Sequence, residues 1–306
     1  MYQNLDIIRN HNSEYVLVLA GDHVYKMDYG AMVAHHVRVG ADMTVDCIEV
    51  GLEHAGQFGI MSADTENWIC SFQEKPEQAE PLPGHPSHAL ASMGIYVFNS
   101  GFLFEQLIKD ADQLRATHDF GKDIIPDVII NYRVMAYPFR DVPGGEQAYW
   151  RVGTVDAFWA ANQELIGVTP PLNLYDESWP IWTCQEQLPP AKLVFDDEER
   201  RGMAVDSMVS SGCVVSGATV HHSLLFSNVR INSYTYVKDS VILPDVDVGR
   251  NCRIHRSIID RRCRLPEDLT LGLDPRADTK RGFYISEGGV TLVTPEMLNQ
   301  EIHHVR

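Results

Sequence analysis

The sequence predicts an α/β domain followed by a parallel β-helix, and three observations carry that prediction. Strand and helix signals alternate through the first half, a proline-interrupted stretch occupies 167–190, and beyond residue 203 apolar positions recur at a fixed step. At 306 residues the chain is long enough for about two domains. The expected division is an α/β domain over 1–166, a connector over 167–202, and a β-helix with a C-terminal tail over 203–306.

Residues 3–10 read as a short helix. Tyr15-Val16-Leu17-Val18-Leu19-Ala20 is then a continuous apolar run ended by Gly21, the pattern of a strand buried on both faces of a parallel sheet. A helix is expected at 28–38 with Gly40 as its C-terminal cap. Strands follow at 42–50, 58–63, 67–73, 91–98 and 133–138, with helices near 101–110, 122–131 and 155–164. In such folds the strand ends form the ligand-binding edge. Pro170, Pro171, Pro180, Pro189 and Pro190, with Trp179 and Trp182 among them, predict an extended connector packed on a domain surface.

The repeat can be counted. Val214, Ile231, Val248 and Leu265 lie 17 apart, as do Val220, Val237, Ile254 and Leu271; Leu225, Ile242 and Ile259 form a third column, and Ser223, Ser240 and Ser257 keep the same step. An inward side chain every five or six residues, three times per turn, describes a triangular prism of short strands whose coils stack on one another. An antiparallel meander is the competing reading, and three columns in phase weigh against it.

Composition removes several classes of function. Acidic residues outnumber basic ones 42 to 25, a formal net charge of −17. Such a surface repels nucleic acid and anionic lipid but leaves room for a small anionic substrate in a locally positive pocket. Six cysteines without a C-x-x-C pair fit neither a zinc site nor a compact disulfide framework, so buried thiols in a reducing cytosol are expected. No stretch approaches the ~20 apolar residues of a membrane span, and no signal peptide opens the sequence. These features predict a soluble, cytoplasmic protein.

Asp22, in Ala20-Gly21-Asp22-His23, follows the apolar run, where α/β folds place metal or ligand groups. A carboxylate there suits a hard divalent cation such as Mg²⁺; it equally suits a turn cap. In Glu74-Lys75-Pro76 the lysine can present a point charge to phosphate and the glutamate can accept from hydroxyls, or the two form a solvated pair before a turn. Ser92 opens the strand Ala91-Ser92-Met93-Gly94-Ile95-Tyr96, in which Gly94 permits close backbone approach. Asp119 in His118-Asp119-Phe120-Gly121-Lys122 reads as a helix N-cap. The histidine pairs at 35–36, 221–222 and 303–304 have no metal-ligand company and read as surface or structural residues.

The segments Leu19-Ala20-Gly21-Asp22-His23-Val24-Tyr25-Lys26-Met27-Asp28-Tyr29, Phe72-Gln73-Glu74-Lys75-Pro76, Leu90 to Phe98, His118 to Asp123 and Leu188-Pro189-Pro190-Ala191-Lys192 closely resemble bacterial ADP-glucose pyrophosphorylase, glucose-1-phosphate adenylyltransferase. With the β-helix, the resemblance covers essentially the whole chain. It implies a Rossmann-like nucleotidyltransferase domain followed by a left-handed parallel β-helix. The implied reaction is ATP plus glucose 1-phosphate to ADP-glucose plus pyrophosphate, in glycogen synthesis. By the same resemblance Asp22 is the catalytic, metal-holding aspartate, with Mg²⁺ spanning the phosphates. Lys75 grips the sugar phosphate, and Glu74, Ser92 and the backbone of Gly59 surround the sugar. A homotetramer under metabolite effectors is also implied.

The sequence departs from the family twice. The family's Gly-rich, Arg-containing ATP loop has no counterpart here, which predicts an incomplete domain without its first βα unit and an unpaired sheet edge. The family's Trp-Arg-Asp-Val-Gly-Thr reads Trp150-Arg151-Val152-Gly153-Thr154, one aspartate short. Asp156, two past Thr154, is then expected to stabilise the start of the helix at 155–164 through its dipole. Weak or absent turnover is the resulting expectation, with a non-catalytic regulatory or assembly subunit as the alternative. A β-helix acyltransferase using His221 or His222 as base is a third reading.

Overall fold

The computed structural model describes residues 1–113, 116–139, 149–197 and 200–301. In chain order, the elements ahead of the repeat are α1 (Leu5–Asn10), β1 (Tyr15–Val18), β2 (His23–Tyr25), α2 (Tyr29–Val39), β3 (Met43–Gly51), α3 (Leu52–Ala55), β4 (Gly59–Ala63), β5 (Ile69–Glu74), β6 (His88–Asn99), α4 (Ser100–Ala111), α5 (Ile125–Val128), β7 (Val134–Pro138), β8 (Tyr149–Arg151) and α6 (Val155–Glu164). The chain divides into two compact units, Met1–Gly21 with Lys26–Ala148, and Asp22–Tyr25 with Tyr149–Arg306.

The first unit is built on a mixed sheet in the order β5-β4-β6-β3-β7, with β1 also paired to β6. The long β6 receives β4 along its first half and β1 along its last, both antiparallel. Alternation along β3 sends Met43, Val45 and Cys47 into a core with Phe98, Phe102, Leu103 and Leu107. Thr44, on the opposite face, hydrogen-bonds the buried His36 of α2 at 2.7 Å. Asp28 caps α2 by accepting from the Gly30 and Ala31 amides, and Gly40 ends it in the left-handed conformation at φ 64. Strands 43–51, 59–63, 69–74, 88–99 and 134–138 occupy the expected segments.

The apolar run at 15–20 behaves differently from expectation. Only Tyr15–Val18 forms a strand; it pairs antiparallel with β6, and all four residues are half-buried. An apolar run reports burial but not strand direction, which is set by the partner. The one parallel pair among the described strands of this sheet is β3 with β7. Asp22 therefore does not end a buried parallel strand: it immediately precedes β2, which pairs with β8.

The second unit contains the left-handed parallel β-helix, with three stacks of short strands forming its faces. Val215, Ile231, Val248 and Leu265 line one inner face, Val220, Val237, Ile254 and Leu271 the next, and Leu225, Ile242 and Ile259 the third. One position differs from the counted repeat. Val215, not Val214, pairs with Ile231, because its coil turns the corner at Gly217 with one residue fewer than the coils that follow. The corners are columns of residues at positive φ, including Gly217, Tyr234, Asn251 and Asp268 on one and Asn228, Asp245 and Arg262 on another. Asn and Asp tolerate that conformation best among residues with a Cβ. Inside, two serine hydroxyls of the column accept from the next coil: the Ser240 amide donates to Ser223 Oγ at 3.0 Å, and the Ser257 amide to Ser240 Oγ at 3.2 Å.

Between α6 and the strand Lys192–Val194 no helix or strand forms. Leu172 is buried there, whereas Trp182 is 91% exposed, so the connector packs only in part. Of the six cysteines, Cys47, Cys213, Cys252 and Cys263 are buried free thiols, but Cys70 and Cys184 are exposed. The C-terminal tail at 302–306, with His303 and His304, lies outside the described residues. Among the described residues no helix is long and apolar enough to cross a membrane.

Candidate active site

In the first unit, antiparallel pairing of β4 with β5 sets Gly59 opposite Glu74. A Cβ on Gly59 would lie 2.9 Å from Glu74 Oε2, and one on Gly121 would collide with the same oxygen. The Glu74 carboxylate is thus cradled between two bare Cα positions from distant segments. Lys75 Nζ stands 3.5 Å from Glu74 Oε1, with the lysine side chain half exposed and the glutamate mostly covered. Lys75 has φ 47 and donates its amide to Phe58 O at 3.0 Å. That backbone conformation costs a non-glycine residue ~1 kcal/mol or more, and strain of this kind concentrates at functional sites.

Ser92 reaches the same cluster through a bulge. Pairing of β3 with β6 shifts register between Val45 and Cys47, and Gly94 on β6 takes φ 70. In a regular strand Ser92 and Tyr96 would stand about 13 Å apart. Here the contraction brings their side chains into hydrogen-bond contact, while Ser92 Oγ also accepts from the Gly94 amide at 3.2 Å. Burial pushes the Tyr96 hydroxyl up to about 12, with the negative charges of Glu74 and Asp119 acting in the same direction. Tyr96 therefore remains a proton donor at neutral pH.

Asp119 is an N-cap, as the sequence predicts, accepting from the Gly121 amide at 2.8 Å and the Lys122 amide at 3.1 Å. The turn it caps is a π-helical one over Phe120–Ile124 that leads into α5. Asp123 gathers the preceding loop, accepting from Thr117 and from the Asp119 amide; the Thr117 hydroxyl bond is the largest influence holding its carboxyl below the usual range. Gly59, Glu74 and Lys75 are thus brought together with Gly121 and its cap Asp119, and Ser92 stands beside Tyr96, whose hydroxyl feels the Glu74 and Asp119 charges. Tyr96 and Gly121 were not singled out as site residues from sequence. The available signal was the glycine between Ser92 and Tyr96, which marks a bulge able to close that spacing.

Asp22 belongs to the second unit. Its main-chain carbonyl accepts from the Val152 amide at 2.9 Å, its Oδ2 lies 3.4 Å from Arg151 Nε, and its Oδ1 lies 3.3 Å from His23 Nε2. The carboxylate is about half exposed. Opposite it stands Gly153, whose added Cβ would be 3.8 Å from Asp22 Oδ2. Among the described residues no group of three or more His, Cys, Asp or Glu side chains is arranged to hold a metal ion. Asp22 offers one hard oxygen ligand, which fits a Mg²⁺ whose other positions come from phosphate and water.

In the β-helix, His222 Nδ1 and His255 Nε2 both contact the Asp239 carboxylate, at 2.8 and 3.2 Å, and His221 Nδ1 is buried without a hydrogen-bond partner among the described residues.

Residues 1–167 match the nucleotidyl transferase family model, and residues 189–293 match the GlmU-like C-terminal hexapeptide model. By class the chain is a nucleotidyltransferase with a hexapeptide β-helix. The glucose-1-phosphate adenylyltransferases of Nitrosococcus oceani and Methylococcus capsulatus are each 61% identical to it over the whole chain, which spans 73% and 72% of their lengths. That of Nitrosomonas europaea is 55% identical, again over the whole chain and 72% of its own length. The chain belongs to the glucose-1-phosphate adenylyltransferase family.

Proposed function

We propose that this protein carries out the family reaction, ATP plus glucose 1-phosphate giving ADP-glucose and pyrophosphate. A phosphate oxygen of the sugar phosphate forms a new bond to the α-phosphorus of ATP as the bond to the pyrophosphate oxygen breaks. The observation that carries this reading is the strained Lys75 beside Glu74 on a glycine-lined strand end.

In this reading the Lys75 ammonium neutralises the phosphate of glucose 1-phosphate. The Glu74 carboxylate accepts from sugar hydroxyls, and the backbone of Gly59 lets the ring approach. The Ser92–Tyr96 pair donates from the buried wall, since the tyrosine stays protonated. Asp22 is the carboxylate of the nucleotide side. Mg²⁺, held by Asp22 with phosphate oxygens, would supply charge neutralisation across the phosphates. Catalysis of this kind is positioning and electrostatics rather than covalent chemistry. With a single carboxylate at that position, turnover is slower than in a site with two.

The functional division follows the same reading: a nucleotidyltransferase domain over 1–166, a connector over 167–202 and the β-helix over 203–306. A cytoplasmic homotetramer that answers to metabolite effectors completes the proposal. The alternative of a non-catalytic subunit is not favoured, because the relatives cited above are named for the enzyme. The test is pyrophosphate release with ATP, glucose 1-phosphate and Mg²⁺, alongside calorimetry of glucose 1-phosphate binding. Lys75→Gln should weaken sugar-phosphate binding by about 10- to 100-fold, the effect of losing one charge-assisted phosphate contact. Unchanged binding in that variant would refute the site.

A further inference from the structure

We propose that Asp156 is a positioning residue for Asp22, acting by locking helix α6 onto the β-helix. The inference rests on the reading of Asp22 as the catalytic carboxylate. It goes beyond that reading by assigning the support of Asp22 to a turn at the far end of the sequence.

Asp22 has little local support of its own. It enters β2, whose strand partner is β8, in a two-stranded ribbon of three residue pairs. A ribbon that short is marginal in water and must be held from outside. The Val152 amide and Arg151 tie Asp22 to the end of β8, and from there only Val152, Gly153 and Thr154 separate β8 from α6. Thr154 caps that helix, its Oγ1 accepting from the Ala157 amide at 3.1 Å. Where α6 sits therefore decides where Asp22 sits.

α6 is fixed to the β-helix by an apolar seam and a polar lock. Val155, Phe158 and Trp159 pack against Leu224, Val241, Ile258 and Val290. Trp159 Nε1 donates to Asp239 O at 2.8 Å, and the Arg256 guanidinium lies 4.2 Å over the Trp159 ring. Asp156 supplies the lock, with Oδ1 accepting from Ser286 Oγ at 2.5 Å and Oδ2 from the Gly288 amide at 3.0 Å. Both oxygens are thus committed to a turn some 130 residues downstream. The fit is close: a Cβ on Gly288 would lie 2.5 Å from Asp156 Oδ1. Arg256 donates to the Gly288 carbonyl, holding the same turn from its other side. An aspartate in the first turn of a helix would ordinarily be explained by the helix dipole. Asp156 does lie in that first turn, and its two oxygens make tertiary contacts in addition.

Hydrogen exchange on the full chain tests the proposal. In Asp156→Ala, the amides of Val24, Trp150 and Val152 should exchange about tenfold faster, the signature of local rather than global opening. Amides of β4 to β6 and of the coils around Val237 and Ile254 should keep their rates. Asp156→Asn, which retains a carbonyl acceptor, should recover most of the protection. Should Asp156→Ala not fold, Ser286→Ala removes one of the two bonds and should give a smaller change at the same amides. In turnover, kcat should fall while KM for glucose 1-phosphate holds. Unchanged exchange at 22–25 and 149–152, or an increase shared equally by the β-helix coils, overturns the proposal. Asp22→Asn separates the two claims, because full pyrophosphate release in that variant removes the reading of Asp22 but leaves the exchange result standing.

Discussion

Asp46 on β3 stands in parallel register with Tyr137 on β7, fully buried, its carboxylate oxygens without a well-aligned hydrogen-bond donor among the described residues. Burial raises its pKa to about 8, offset only slightly by the adjacent Cys47 amide. The same burial, with Asp46 and Glu49 nearby, pushes the Cys47 thiol well up.

That arrangement sets a pH dependence of stability. The folded state holds the Asp46 proton more tightly than the unfolded chain, whose carboxyl titrates near 3.8. Between about pH 4 and pH 8 the native state binds more protons at this residue, so its contribution falls as pH rises and levels off above pH 8. Asp46→Val, which fits a buried strand, should stabilise the protein by roughly 2–4 kcal/mol at pH 8 and far less at pH 5. Chemical denaturation of both proteins at the two pH values checks this; a gain independent of pH would mean that Asp46 is ionised or hydrated in the fold.

Glycine at 121 is required by Glu74 rather than by its own backbone. Gly121→Ala should displace the carboxylate and weaken glucose 1-phosphate binding by at least about tenfold, with a smaller effect on melting temperature. Calorimetry on the variant decides it. Wild-type affinity with a displaced Glu74 would show that this carboxylate does not contact the sugar.

Position 153 can accept what the second carboxylate of a cation site needs. An added Cβ there meets nothing closer than 3.8 Å, and the residue is not among those at positive φ. Gly153→Asp should therefore fold and raise Mn²⁺ or Mg²⁺ affinity beside Asp22 by about tenfold, since carboxylate count tunes affinity for hard cations. Mn²⁺ titration followed by electron paramagnetic resonance reads it. No gain would mean that Arg151 already neutralises the site.

The serine column of the β-helix should behave as one chain of bonds. Ser240→Ala removes the acceptor for the buried Ser257 amide and the donor to Lys238 O. An orphaned buried donor costs about 1–3 kcal/mol. Denaturant titration should show that loss with an unchanged slope, whereas an altered slope would signal loosened coils.

Much of this was legible in the chain itself. The inward columns 220-237-254-271 and 225-242-259 follow from spacing alone, because each coil repeats one local pattern and its neighbour supplies the matching face. The Gly40 and Asp119 caps are equally local, the first resting on a left-handed backbone and the second on a side chain that satisfies amides two or three residues away. Glu74 and Lys75 could be picked out because a charged pair at a strand end is chemically conspicuous. Where the pattern slipped, at Val214, a single corner residue was missing, which periodicity counted over four coils averages away.

The sequence by itself determined the elements, the repeat and the Glu74–Lys75 pair at a strand end, since each depends on residues close together in the chain. Tertiary structure alone decided that β1 runs antiparallel to β6, that a bulge joins Ser92 to Tyr96, and that Glu74 lies over Gly121. It also decided that Asp46 is sealed in the sheet and that Asp156, in the first turn of its own helix, bonds a turn far along the sequence. These outcomes depend on which distant segments pack together. Strand direction, burial of a lone carboxylate and the partner of a first-turn aspartate are properties of that pairing, and no local propensity encodes them.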